Sequence, residues 1–332
     1  MRPLIFQLLR ELSHERFISG VRLAEKFGVS RSVVSNALHE AGEAGVEIFS
    51  LTRRGYRLAQ PIELLDLDRI RPQLGTLSNR VDVEVIETID STNTELMKGA
   101  IAGAPSGAVL VAEIQTEGRG RRGRIWQSAF GASLTFSLLW RFQKGAAQLG
   151  GLSLVVGLAT LRALHQLGIG NDSVQLKWPN DVVVGARKLA GVLLESQGDM
   201  LGPTAVVIGI GINIDLPVQV IARIDQPVTD VQRVAGDTVS RNQLLAEVLR
   251  QLVMMLDVFE VNGFAPFKSE WTRAHALHQR PVRVINGDGG SVDAIVRGVA
   301  DDGSLEVFQD GRDRLLASGE VSLRMQRGVK HE

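Results

Sequence analysis

The 332-residue chain has no cysteine, which excludes disulfides, thiolate metal sites and cysteine nucleophiles. It also lacks net charge, because 37 Lys and Arg balance 37 Asp and Glu, so overall electrostatics single out no polyanionic partner. No apolar run is long enough to span a bilayer. The most apolar stretch, Leu149 to Leu167, carries Ser153, Thr160, Arg162 and His165 and reads as a buried helix. A signal peptide is missing too. The apolar start is interrupted by Gln7, Arg10 and Glu11, with no small-residue cleavage site after it. Together these absences predict a cytoplasmic protein with no membrane partner. Internal repeats and low-complexity segments are lacking, and among six scattered histidines neither a metal cluster nor a Ser–His–Asp arrangement stands out.

What is present is 44% hydrophobic and 22% charged, the balance of a soluble globular protein, at a length that calls for two or three domains. Residues 1–60 hold nine Lys and Arg against six Asp and Glu, a mildly basic segment in a neutral chain. There, Leu4, Leu8, Leu9 and Leu12 share one helical face. A second helix fits Val21–Phe27, and a third runs from about Arg31 to Ala41 behind a Ser30 cap. Ala24 and Gly28 mark the close crossing and sharp turn of a helix-turn-helix. In the third helix Val33, Val34, Ala37, Leu38 and Ala41 are the expected buried stripe, leaving Arg31, Ser32, Ser35, Asn36 and His39 facing out. Short strands Ile48–Leu51 and Tyr56–Leu58 flank a wing with Arg53 and Arg54. This predicts a winged helix-turn-helix over 1–62, followed by a linker punctuated by Pro61. From 66 to 273 strands (81–86, 108–115, 133–140, 174–178, 182–184, 191–195, 205–214) mix with helices (93–101, 149–167, 241–261, 264–273), an α+β pattern. From 278 to 326, short β runs between turn signals at Asn286–Gly290, Asp301–Gly303 and Gln309–Gly311 predict a small β barrel.

Four motifs carry chemistry. Gly118-Arg119-Gly120-Arg121-Arg122-Gly123-Arg124 cannot pack into a core; it can close over phosphate or carboxylate oxygens, or serve as a basic loop touching nucleic acid or solvent. No Gly-Lys-Ser/Thr follows, so it is not a P-loop. Lys177-Trp178-Pro179-Asn180-Asp181 puts a cation, an amide and a carboxylate at a strand end. With Lys188, expected to approach the same region of the sheet as Lys177 if the strands pair as a hairpin, it suits an acid meeting a nucleotide triphosphate, or else is an ordinary charged hairpin. Ser91-Thr92-Asn93-Thr94-Glu95 reads as a capping box from Thr92 to Glu95. Gly209-Ile210-Gly211-Ile212-Asn213-Ile214 lacks the third glycine of a dinucleotide fingerprint and reads as a buried strand with close backbone approach.

In this order, and together with the helix-turn-helix and the β barrel, these motifs resemble the biotin–protein ligase family, in particular its bifunctional bacterial members that double as the biotin operon repressor. The resemblance spans nearly the whole chain. It implies a catalytic domain related to class II aminoacyl-tRNA synthetases and an SH3-like C-terminal domain. It implies biotin contacts from Ser91, Thr92, Asn93, Gln115, Arg119, Gly120, Arg121 and Lys188, and an ATP side of Arg121, Trp126, Lys177, Asp181 and Asn213. The catalytic set is then Lys188, Arg121, Lys177 and Asp181, with Asp181 reaching Mg²⁺ of Mg-ATP and standing as a candidate base. The implied chemistry joins biotin and ATP to biotinyl-5′-AMP and passes biotin to a lysine of the biotin carboxyl carrier protein of acetyl-CoA carboxylase. The adenylate is also the implied corepressor, favouring a homodimer on operator DNA read by Arg31, Ser32, Ser35, Asn36, His39, Arg53 and Arg54. Two departures from the family pattern are Glu117, a charge directly before the glycine loop, and Ala222–Gly236, which contains no aromatic residue. A lipoate or octanoyl ligase and a non-enzymatic ligand-sensing transcription factor are the rival readings.

Overall fold

The computed structural model describes residues 3–198, 200–286, 290–317 and 321–325. Three helices open the chain: α1 (Pro3–Glu11), α2 (Gly20–Phe27) and α3 (Arg31–Glu43). Ser30 caps α3 by accepting from the Val33 amide, and Gly28 ends α2 in the left-handed conformation at φ 63°, which a residue with a Cβ adopts only under strain. A two-stranded wing, β1 (Ile48–Leu51) and β2 (Gly55–Leu58), follows. Two expectations about the buried faces change. Ile5 and Phe6 are buried in α1 whereas Leu4 is only partly so, and Phe6 meets Phe130 edge-on at 5.3 Å between ring centroids. Val33, expected in the stripe, is 37% exposed on the first turn of α3, while Val34, Ala37, Leu38 and Ala41 are buried.

The remainder begins with α4 (Leu67–Leu74), which the sequence pattern missed, then β3 (Asp82–Ile89), α5 (Thr92–Ile101), β4 (Ala108–Gln115), β5 (Ser133–Phe142) and α6 (Leu152–Gln166). Strands β6 (Val174–Lys177), β7 (Asp181–Val184), β8 (Arg187–Gly198) and β9 (Thr204–Asn213) complete a seven-stranded sheet of order β3-β4-β5-β9-β8-β7-β6. Only β3 and β4 pair in parallel; every other pairing is antiparallel. Helices α7 (Val218–Ile221), α8 (Val231–Ala235), α9 (Arg241–Asn262) and α10 (Lys268–Ala274) follow. The single helix expected over 264–273 begins instead as a 3-10 turn over Ala265–Phe267, around Pro266. The last five strands, β10 (Pro281–Asn286), β11 (Ser291–Val299), β12 (Leu305–Gln309), β13 (Arg312–Leu316) and β14 (Val321–Met325), form an antiparallel sheet of order β13-β12-β11-β10-β14. Residues 287–289 of the turn expected at Asn286–Gly290 lie outside the described residues, as does 326.

The large sheet is covered unequally. One face packs on α6 and α9, through residues such as Phe136, Ile208, Val155 and Leu249, and this apolar cluster continues without a break into Val282, Val296 and Val307 of the C-terminal sheet. The other face carries α5, whose Leu96 and Ala100 meet Leu110, Leu139 and Val207. The candidate site lies on that same face, at the N-terminus of α5, over Gly209 and Gly211.

A buried clamp ties the first 62 residues to this body. Arg241 and Glu113, both almost completely buried, pair at 2.8 Å. Glu113 also accepts from the Leu65 amide, Glu63 accepts from Ser240 and from the Arg241 amide, and Asn242 bonds Leu64 and Asp66. Buried charges persist only when paired and hydrogen-bonded, so the course of 63–66 is strongly specified.

Candidate functional site

The site is built over three glycines. A Cβ on Gly209 would lie 2.1 Å from Asn93 Oδ1, and one on Gly211 would lie 2.4 Å from the Trp126 ring. A Cβ on Gly191 would meet the end of Lys188 at 2.8 Å. Gly209 pairs with Leu193 and Gly211 with Gly191 across β8 and β9, which puts all three on the face that carries α5. The close approach expected for Gly-Ile-Gly-Ile-Asn is therefore the approach of site side chains onto bare backbone.

Ser91, not Thr92, is the N-cap of α5; it accepts from the Thr94 amide. This corrects the expected capping box by one residue, and it frees Thr92 for the site. Thr92 donates its amide to Gln115 Oε1 at 2.8 Å, and its hydroxyl donates to the same oxygen at 3.1 Å and lies 2.7 Å from Ser137 Oγ. Ser137 donates to Asn93 Oδ1 at 2.6 Å, and Asn93 Nδ2 donates to Glu195 at 2.9 Å. Ser91, Thr92 and Asn93 are all buried, forming a polar recess at the sheet face.

The glycine–arginine loop folds over this recess. The Gly120 amide donates to Arg124 O and the Trp126 amide to Gly118 O, so the loop closes on itself. Arg119 pairs with Glu195 at 2.5 Å, and Arg121 donates to Asn180 Oδ1 at 3.3 Å. Burial lowers the pKa of Arg121, with the neighbouring Arg122 adding to the effect and Asp181 opposing it. A desolvated guanidinium of this kind gains when an anion arrives. Arg122 and Arg124 stay exposed.

The residues of Lys177-Trp178-Pro179-Asn180-Asp181 go four ways. Trp178 is buried and donates from Nε1 to Gly303 O of the C-terminal sheet, a structural contact. Asn180 holds Arg121 and donates to Val192 O. Asp181 pairs with Lys188 Nζ at 2.7 Å. Lys177 lines neither of the cavities at the site; its charge acts instead on the buried His275. β7 lies between the strands of Lys177 and Lys188, and Lys177 pairs in register with Asp181, the partner of Lys188. A register shift between β7 and β8, at Val182 and Val183, re-aims Lys188 so that its ammonium stands over the Trp126 ring, 5.6 Å from the centroid. Asn213 donates to Lys188 O and Thr229 O, and the Lys188 amide donates to Pro227 O. Part of the aromatic-free stretch 222–236 therefore lies against the site.

Ser91, Thr92, Asn93, Gln115, Arg119, Gly120, Arg121, Trp126 and Lys188 thus line one cavity of about 50 Å³. That is room for a few water molecules. A second cavity of about 430 Å³ adjoins it, sharing Arg121, Asn180 and Val192 and reaching Ser153 and Ser304. Ser137 and Glu195 escaped the sequence reading. Each is defined by cross-strand register, which no local pattern reveals.

On the N-terminal segment, Arg31, Ser32, Ser35, Asn36, His39, Arg53 and Arg54 are exposed as expected for a DNA-contacting face. Arg57, the third arginine of the wing, is not presented this way. Its guanidinium lies between the Phe17 and Phe49 rings, 5.3 and 5.0 Å from their centroids, and donates to His14 O.

Residues 85–213 match the Biotin/lipoate A/B protein ligase family, and residues 5–57 match a helix-turn-helix domain. The Bifunctional ligase/repressor BirA of Salmonella typhimurium is 39% identical over 96% of each chain, and its Bacillus subtilis namesake is 29% identical over 82% of this chain and 83% of its own. Among solved structures, the biotin protein ligase of Aquifex aeolicus in complex with biotin and ATP is similar at 28% identity and a TM-score of 0.62, covering 74% of this chain and 99% of that one. With its glycine-floored recess, arginine loop and winged helix-turn-helix on one polypeptide, the chain belongs to the biotin–protein ligases, in the bifunctional ligase/repressor branch.

Proposed function

We propose that the chain adenylates biotin with ATP, transfers it to a lysine of the biotin carboxyl carrier protein of acetyl-CoA carboxylase, and represses transcription in response to biotin. The observation that carries the enzymatic half is the convergence of four separated motifs on one recess. In this reading the ureido ring of biotin sits against Ser91, Thr92, Asn93 and Gln115, under Arg119 and Gly120. Its carboxylate points to Lys188 and Arg121. ATP lies beyond, toward Trp126, Asp181 and Asn213. Lys177 drops out of the contact set and acts on the fold around His275.

The biotin carboxylate attacks the α-phosphorus in line, forming a C(O)O–P bond as the bond to the β-phosphate bridging oxygen breaks and pyrophosphate leaves. The carboxylate is already ionised, so the requirement is charge neutralisation and alignment, supplied by Lys188 and Arg121. The acceptor amine then attacks the acyl carbon, the C–N bond forms, AMP leaves and the amine loses a proton. Mg²⁺ arrives with ATP as part of the substrate. The chain's own residues do not fit a resident metal: Asp181 is committed to Lys188, and among the described residues no group of three or more His, Asp or Glu could hold one.

The domain limits that go with this reading are 1–62 for DNA binding, 66–273 for catalysis on a fold related to class II aminoacyl-tRNA synthetases, and 278–326 for an SH3-like unit. A single small DNA-binding unit makes few phosphate contacts, so repression calls for a homodimer on a two-fold operator, with biotinyl-5′-AMP as corepressor. Operator DNA places the activity in the cytoplasm. Operator binding and sedimentation, with and without biotin plus ATP, test this half. Affinity should tighten with the adenylate and weaken with salt and with added carrier protein. Indifference to the adenylate would leave a ligase whose DNA-binding unit serves another purpose.

A further inference from the structure

One oxygen joins the lid to the recess. Glu195 Oε2 accepts from Arg119 Nη2 of the loop at 2.5 Å and from Asn93 Nδ2 of α5 at 2.9 Å. Glu195 stands on β8, paired with Val207 and two residues from the cavity-lining Leu193. From Asn93 the contacts continue to Ser137 and on to Thr92. Proton bookkeeping sets their direction. Ser137 has one proton and gives it to Asn93, so at 2.7 Å it accepts from the Thr92 hydroxyl, whose single proton is shared between Ser137 Oγ and Gln115 Oε1 at 3.1 Å. The chain therefore runs one way, from Thr92 through Ser137 and Asn93 to the Glu195 carboxylate, and each bond polarises the next toward the anion. Thr92 Oγ1 is left presenting lone pairs to the recess, where it can accept from a ring N–H.

We propose that Glu195 is a positioning residue that latches the loop over the recess through Arg119 and sets the acceptor polarity of Thr92 through Asn93 and Ser137. It touches no reacting atom. Its two partners belong to the two walls of the cavity, so ordering the loop and orienting the recess are one event. The polarity half rests on the biotin reading; the latch half does not.

The loop carries four arginines, which makes trypsin a direct probe of its closure. Cleavage after Arg122 and Arg124 in the full-length, ligand-free protein should be on the order of 10-fold faster in Glu195→Ala and a few-fold faster in the isosteric Glu195→Gln, the scale set by losing a charge-assisted hydrogen bond. In an Arg119→Ala background, Glu195→Ala should add nothing to cleavage. In biotin-dependent ATP–pyrophosphate exchange, KM for biotin should rise about 10-fold in Glu195→Ala while kcat changes less than about twofold. Wild-type cleavage in Glu195→Gln and Glu195→Ala, or additive effects with Arg119→Ala, overturns the latch. Faster cleavage with an unchanged KM for biotin overturns the polarity half. Exchange driven by another acid instead of biotin overturns the functional reading and leaves the latch standing.

Discussion

Lys188 shows how one side chain depends on several layers of structure. A register shift aims it, Asp181 pairs with it, and the bare backbone of Gly191 leaves room for it. Lys188→Ala should lower biotin-dependent ATP–pyrophosphate exchange at least ~10²-fold, the effect of removing one preorganised electrostatic partner; near wild-type exchange would contradict its role. His275 illustrates the opposite case, a charge suppressed. Burial, helped by the charges of His278 and Lys177, lowers its pKa to about 3, and its Nε2 accepts from the Trp178 amide. The unfolded chain takes up a proton near pH 6.5 that the folded one refuses. His275 therefore withdraws stability progressively as pH falls from about 6.5 toward 3, and contributes no pH dependence above that range. His275→Gln keeps an acceptor for Trp178 but has no proton to gain. Its Tm should fall less than that of the wild type between pH 7 and pH 5, and equal falls would refute the assignment.

At the scale of elements, β9 is the clearest case of sequence written for a site. Alternate positions of Gly-Ile-Gly-Ile bury Ile210 and Ile212 on the face packed on α6 and α9 and leave glycines on the other, where Asn93 and Trp126 rest. In Gly211→Ala the new methyl would collide with a rigid indole, at the overpacking cost of about 1–3 kcal/mol. KM for ATP should therefore rise ten-fold or more while the melting transition stays cooperative. An unchanged KM would mean that Trp126 does not shape the pocket. The same element shows what the sequence could and could not reveal. Period and caps located the helix-turn-helix, all seven strands of the large sheet and the close approach at β9. They missed α4, whose mean pattern is polar and interrupted by Pro72, and α8, only five residues long. They brought Lys177 and Lys188 to one region of the sheet but could not show that β7 runs between their strands, since the order of strands is a long-range property. Nor could the motif show that Trp178 bonds Gly303 and belongs to the packing of the C-terminal sheet.

Across the whole molecule, two joints differ in kind. The C-terminal sheet shares its apolar core with the helices under the large sheet. The N-terminal helices keep a separate core that meets the body at Phe130, with Ile62, Leu64 and Ile114 packed against it. Deleting residues 1–62 leaves the Glu63–Asp66 clamp intact, so the remainder should fold and still biotinylate its acceptor. Biotin binding should weaken, because Phe130 is two residues from Ser128, whose hydroxyl bonds the Gln115 backbone. A truncated protein that melts cooperatively yet transfers no biotin would show that the division is misplaced. The central claim, that the recess under residues 118–124 makes an acyl-adenylate of biotin, is tested most directly by chemical identification of the product. The full-length protein is incubated with biotin and Mg-ATP, quenched, and examined for biotinyl-5′-AMP, with octanoate and lipoate in parallel. The account predicts biotinyl-5′-AMP in near-stoichiometric amount, its loss in Lys188→Ala, and no comparable adenylate of the other acids. Absence of biotinyl-5′-AMP from the folded wild-type protein, or equal adenylation of octanoate, would contradict it.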